Sequence, residues 1–157
     1  MSIRALALAL SLALPHLAAA QEGSLVFTGG LGGGGELGLE DGEAGVAEME
    51  FAVGWEFAPT SIRPELGVSV GFAPDGHVAL RPGVRYTLPE LPFQVRIALD
   101  ASNSRDPFRW RWLLVGVAAE LRVTSTFGLF AGVDSGAPLS EDAGVPLLVR
   151  AGASFRL

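Results

Sequence analysis

Between residues 47 and 57 apolar and polar side chains alternate one for one. Met49, Phe51, Val53, Trp55 and Phe57 fall on one side, and Glu48, Glu50, Ala52, Gly54 and Glu56 on the other. A period of two sustained over that length predicts an extended strand with two chemically different faces. The phase returns at 62–72, where Ile62, Pro64, Leu66, Val68, Val70 and Phe72 oppose Arg63, Glu65, Gly67, Ser69 and Gly71. At 77–88, Val78, Leu80, Val84 and Tyr86 oppose Arg81, Gly83, Arg85 and Thr87. At 145–157 the apolar set is Val145, Leu147, Val149, Ala151, Ala153, Phe155 and Leu157. Less regular stretches at 24–33, 93–101, 110–124 and 127–134 bring the predicted strands to eight. With no helical periodicity after residue 20, the pattern predicts an all-β chain, an eight-stranded antiparallel up-and-down transmembrane β-barrel.

Two places resist the pattern. In 110–124, Trp110 and Trp112 share a parity with Glu120 and Arg122, while Arg111 shares one with Leu113 and Val115. One extra residue reverses every side chain beyond it, so a bulge near Leu113 or Leu114 is expected. Pro64 and Pro82 each remove a ladder donor and are read as lying near strand ends, where the loss is best tolerated. The connections alternate in length: 58–61, 89–92 and 125–126 are short, whereas 34–46, 102–109 and 135–144 are longer. The tight Pro74-Asp75-Gly76 turn departs from that trend. Short periplasmic turns and longer extracellular loops are the habit of outer-membrane barrels, and an even strand number places both chain ends on the periplasmic side.

The first twenty residues read as an export signal. Arg4 supplies the positive start, the apolar run extends from Ala5 to Leu14, Pro15 breaks it, and Ala18, Ala19 and Ala20 form a small-residue cleavage site before Gln21. The expected organisation is therefore a signal peptide, 1–20, and one barrel domain, 21–157. No cysteine is present, which removes disulfides, thiolate metal sites and lipoprotein anchoring together. The net charge of -6 disfavours a nucleic-acid partner, which needs a basic surface. All basic residues are Arg, a side chain suited to desolvated, bidentate carboxylate pairing.

Alternation alone does not decide which face is wet. The polar face carries Gly54, Gly67, Gly71, Gly83, Gly128, Gly132 and Gly152, small neighbours of the kind a narrow interior crowded with Arg and Glu requires. Phe27, Phe57, Tyr86, Phe93, Phe127 and Phe155 fall toward one rim, and Phe51, Phe72, Phe108, Trp110 and Trp112 toward the other. Two aromatic girdles flanking an aliphatic band suit two membrane interfaces. On these features the chain resembles the small eight-stranded outer-membrane barrels, the family of outer membrane protein X and the transmembrane part of outer membrane protein A. The resemblance implies an outer-membrane location, outer-membrane lipid as surroundings and the barrel-assembly machinery as a partner in biogenesis. It also implies an assembly signal in the closing strand, with Phe155 two residues early and Leu157 at the terminus.

The charges on the polar face are balanced. Glu48, Glu50, Glu56, Glu65, Asp100, Glu120 and Asp134 stand against Arg63, Arg81, Arg85, Arg96, Arg122, Arg150 and Arg156. Isolated buried charges are very costly, so an ion-pair network filling the lumen is expected. Three motifs have bland readings beside sharp ones. Gly67-Val68-Ser69-Val70-Gly71 matches a nucleophile elbow, with Asp75 and His77 following, but an elbow needs a strand-to-helix turn. Gly30 to Gly35 contains a dinucleotide fingerprint without the helix that would meet a pyrophosphate, and reads as a flexible strand end and loop. His77 is the sole histidine after the signal, which excludes a histidine cluster for metal. No catalytic, cofactor-binding or metal residues are therefore assigned. The acids Glu36, Glu40, Asp41, Glu43, Asp75, Asp106, Glu141 and Asp142, against Arg105 and Arg109 alone, predict a negative loop rim able to attract divalent cations. The expected function is a non-enzymatic outer-membrane barrel with a charge-plugged lumen and a structural or surface-interaction role through its loops. The alternatives are a soluble periplasmic barrel binding a small apolar ligand, and a membrane-embedded lipid-modifying enzyme using His77 and Ser69.

Overall fold

The computed structural model describes residues 23–38, 44–58, 60–73, 75–103 and 107–157. The expected signal peptide and its cleavage site lie outside them. Eight strands follow one another: β1 (Gly23–Leu37), β2 (Ala44–Phe57), β3 (Ile62–Ala73), β4 (His77–Thr87), β5 (Phe93–Ser102), β6 (Arg109–Arg122), β7 (Phe127–Pro138) and β8 (Val145–Arg156). Each pairs antiparallel with its neighbours in sequence, and β1 pairs with β8, so the sheet closes into a barrel. At the seam Val26 meets Arg156 and Leu37 meets Val145. Leu25 and Leu157 add two backbone hydrogen bonds of 3.1 and 2.9 Å at the end of the chain. The mouth bearing the chain ends and the connections 58–61, 88–92 and 123–126 is the terminal mouth. The opposite one is the distal mouth.

The polarity of the barrel is inverted relative to a soluble globule. Arg81 and Asp100 are 0% exposed, whereas Leu31 and Val149 are 65% and 61% exposed. Period-two alternation produces this directly: on β3, Ile62, Leu66, Val68, Val70 and Phe72 point out and Arg63, Glu65 and Ser69 point in. Outward aromatics form two belts. Phe27, Phe155 and Phe127 occupy adjoining positions near the terminal mouth, the last two rings 5.0 Å apart, while Phe72, Phe108 and Trp110 lie toward the distal end; Phe51, expected in the distal girdle, pairs with Val68 at mid-height instead.

Several expectations need correction. The first strand does not end at Gly33: Gly34 and Gly35, expected in a loop, pair with both β2 and β8 as Gly30 to Gly33 do, and β1 continues to Leu37, while β7 runs on to Pro138. Beyond Leu31 the run offers no side chains whose alternation could be read, which hid where the strand ends. The bulge in β6 falls at Arg111, because Trp110 pairs with Ala101 and Trp112 with Asp100. Arg111 and Trp112, consecutive residues, therefore both turn inward, at 2% and 3% exposure, and Trp112 does not belong to the outer girdle. A second bulge, at Phe72, displaces β3 against β2. Pro82 lies in the middle of β4, not near its end, and the β4–β5 pairing lapses between Leu80 and Gly83, where proline has no amide to donate.

Candidate functional site

The polar side chains converge on the axis of the barrel and divide into three levels. At the terminal mouth, Glu120 on β6 accepts from Arg156 at 2.7 and 2.8 Å, from the Ser154 hydroxyl at 2.5 Å, and from the Gln94 amide. Glu56 lies 3.8 Å from both Arg63 and Arg156, and 3.7 Å from Arg122. Just above, Arg63 stands opposite Arg85, and Arg85 opposite Arg96, across three adjacent strands. Glu65 makes this row of like charges tenable, lying 3.2 Å from Arg63, 3.1 Å from Arg85 and 2.9 Å from Arg96. Arg85 also donates to Gln94 at 3.1 Å, joining this group to Glu120.

At mid-height Glu50 gathers Arg81, Arg96 and Arg150 at 2.7, 2.8 and 3.0 Å. Arg150 turns a second nitrogen to Asp134 at 2.5 Å. Arg81 is the most engaged cation: it donates to Asp100 at 2.6 Å, to Glu50, and to both oxygens of Glu48, which in turn accepts from Ser69 at 2.9 Å. These contacts make one continuous network from Arg156 to Asp100. Removing any one partner would leave a desolvated charge exposed to its neighbours' fields, the situation that makes half-satisfied buried networks costly.

Glycines give these long side chains their room. A β-carbon on Gly128 would stand 2.7 Å from Glu120 Oε1 and 2.8 Å from Ser154 Oγ, and one on Gly54 would stand 2.8 Å from Arg63 Cγ. The inward side chains of β1 are Ser24, Val26, Thr28, Gly30, Gly32 and Gly34 before Glu36, so this strand contributes no charge to the network. Phe130 fills the space beside it: its ring edge would be 3.1 Å from a β-carbon on Gly30 and 2.8 Å from one on Gly152, and Arg85 lies 6.0 Å over the ring.

The third level lies at the distal mouth. Glu36 on β1 is fully buried and accepts two hydrogen bonds from Arg111 on β6, at 2.7 and 2.8 Å. The Gly144 amide donates to Glu36 at 2.9 Å, and the Trp112 indole donates to the Gly144 carbonyl at 3.0 Å. Arg111 also lies 4.7 Å over the Trp112 ring.

Of the fourteen residues predicted to share the lumen, Glu48, Glu50, Glu65, Asp100, Glu120, Asp134, Arg63, Arg81, Arg85, Arg96, Arg150 and Arg156 are buried there, and Glu56 is nearly so. Arg122 is not: its side chain is 55% exposed at the terminal rim, because β6 ends with it. Gln94, Ser154, Glu36, Arg111 and Trp112 were missed. Gln94 and Ser154 share the parity of Arg96 and Arg156 and were legible. Glu36 was placed on the loop rim, yet it is an interior residue because β1 extends past the glycines. Among the other rim acids, Asp142 pairs with Arg109, whereas Glu40, Asp41, Glu43 and Asp106, with Arg105, lie outside the described residues. Ser69 and His77 form no dyad: the hydroxyl donates to Glu48, and the ring Nδ1 lies 2.8 Å from the Asp75 carbonyl oxygen.

No family model matches the sequence, and no curated protein matches it. Solved structures do resemble it. A de novo designed transmembrane β-barrel aligns over 87% of this chain and 98% of its own, with 12% identity and a TM-score of 0.56. Neisserial surface protein A aligns over 87% of this chain and 99% of its own, with 14% identity and a TM-score of 0.55. The fold is that of the small eight-stranded outer-membrane barrels. The outer membrane protein Ail of Yersinia pestis, in a phospholipid bilayer nanodisc, covers the same 87% at 12% identity and a TM-score of 0.49.

Proposed function

We propose that the chain is an outer-membrane barrel whose interior is sealed by ion pairs, without a catalytic role, and that it acts structurally or through surface contacts made by its distal loops. The observation that carries this reading is the inverted polarity. The exterior presents Leu66, Val68, Leu80, Ile97, Val117, Leu129 and Val149, all 40% or more exposed, while nearly every charged strand residue is turned inward. A water-soluble protein does not expose an apolar surface continuous around its whole girth. Strand lengths support the same reading: β5 has 10 residues and β1 has 15, and a tilted strand needs about 9–11 to cross a bilayer. The distal mouth then faces outward, carried by the longer connections, and the assembly machinery reads the end of β8 through Phe155 and Leu157, both of which face outward.

A soluble barrel holding an apolar ligand would need an apolar interior, and the interior here is filled mainly by guanidinium and carboxylate groups, with Leu114, Leu148 and Trp112 among them. Alkaline carbonate extraction tests the proposal. The protein should remain with sedimented outer membranes and migrate faster in unheated than in heated gel samples; release into the soluble fraction would overturn it.

A further inference from the structure

The connection between β7 and β8, residues 139–144, is tied down on both sides. Toward β6, Asp142 pairs with Arg109, the Leu139 amide donates to the Arg111 carbonyl at 2.7 Å, and the Gly144 carbonyl accepts from Trp112. Toward β1, the Gly144 amide donates to Glu36. Because β6 and β1 flank the β7–β8 hairpin, the Arg111–Glu36 pair is a crossbar running inside that hairpin, and the loop is drawn over it. Gly144 fits its seat tightly: a β-carbon there would stand 3.0 Å from the Leu37 carbonyl carbon and 3.2 Å from Glu36 Cγ. The crossbar exists because the bulge at Arg111 turns two successive β6 residues inward, one to grip Glu36 and one to hold the loop.

We infer that this loop is a latched lid over the distal mouth, with Glu36 as its catch and Trp112 as its second fastening. The inference rests on the barrel reading above and goes beyond it, since it takes the loop out of the set of free surface loops. It also gives the barrel two separate closures, a lid at the mouth and the ion-pair network below. Glu36 is the tie shared by the loop and the crossbar, since it holds the Gly144 amide and Arg111 at once, so losing it loosens both together.

The test uses the folded protein in lipid vesicles. Endoproteinase cleavage after Glu141, which is exposed at the crest of the loop, reads the open population when reclosing is fast. Glu36→Gln should raise cleavage by roughly ten-fold and Trp112→Phe by a few-fold, as expected when buried hydrogen bonds are lost. In a variant keeping Trp112 as sole tryptophan (Trp55→Phe, Trp110→Phe), Glu36→Gln should also raise acrylamide quenching. If Glu36→Gln does not fold, Trp112→Phe decides by cleavage alone. Cleavage at the unmodified rate in every folded variant would overturn the lid. Raised cleavage accompanied by ion conductance in Glu36→Gln would uphold the lid and overturn instead the sealed lumen beneath it.

Discussion

Arg63 and Arg85 stand directly opposite each other on β3 and β4, both buried, and share the carboxylate of Glu65. Like charges across a ladder repel, and here Arg96 extends the row to a third strand. Glu65→Gln should cost about 3–5 kcal/mol, the range for breaking a buried pair by removing one partner. Arg122→Gln, at the exposed rim, should cost less than about 1 kcal/mol. Urea unfolding of the barrel in lipid compares the two, and equal costs would contradict the assignment of Glu65 as the keystone of the row.

The two faces of β3 should respond oppositely to substitution. Val68 is 40% exposed on the outer wall and Ser69 is 0% exposed against Glu48. Val68→Leu should be close to neutral, whereas Ser69→Leu should cost about 1–3 kcal/mol by overpacking, with the loss of its hydrogen bond in addition. Val68→Arg should cost about 2–4 kcal/mol near the bilayer midplane. Folding assays in vesicles read all three, and a tolerated Ser69→Leu would show that the interior is not packed.

Glycines on the two sides of the wall should differ as well. Gly128→Ala drives a methyl group into Glu120 and Ser154 and should destabilise. Gly33, whose added β-carbon would meet nothing closer than 3.7 Å, should accept alanine with a gain of about 0.4–1 kcal/mol. Thermal midpoints that fall equally for both would refute this picture of crowding.

In planar bilayers the purified protein should show no large steady conductance. An eight-stranded interior is just wide enough for side chains to fill it, and here Arg81, Arg96 and Arg150 meet over Glu50 at mid-height. Stable unitary steps at neutral pH would remove the seal.

Strand number, phase and most of the interior charges were readable because a period of two writes the two faces into the order of residues. Where the chain departs from that period, the reading failed for local reasons. The glycines from Gly30 to Gly35 have no side chains to alternate, so Glu36 looked like a loop acid. The Arg111 bulge was sought two or three residues too late, because Leu113 and Leu114 are both apolar and conceal the point at which the phase turns. Arg122 has the inward parity but lies at the end of its strand, where parity no longer implies burial. The pairing pattern itself, such as three arginines around Glu65, depends on strand stagger, which alternation does not encode.

The absence of charge on the inward face of β1, up to Glu36, bears on the order in which the barrel can be made. Every ion pair of the network joins residues of β2 to β8, and none requires β1. Seven strands curled into an open trough can therefore settle their arginines and carboxylates while one edge still stands apart. If β1 closes the wall, it enters as a smooth stave whose backbone pairs with β2 and β8, with no long side chain before Glu36 to thread past those already in place. In that order of closure the far end of β1 carries its one inward charge, so the strand that completes the wall also brings Glu36, the catch of the lid, to Arg111.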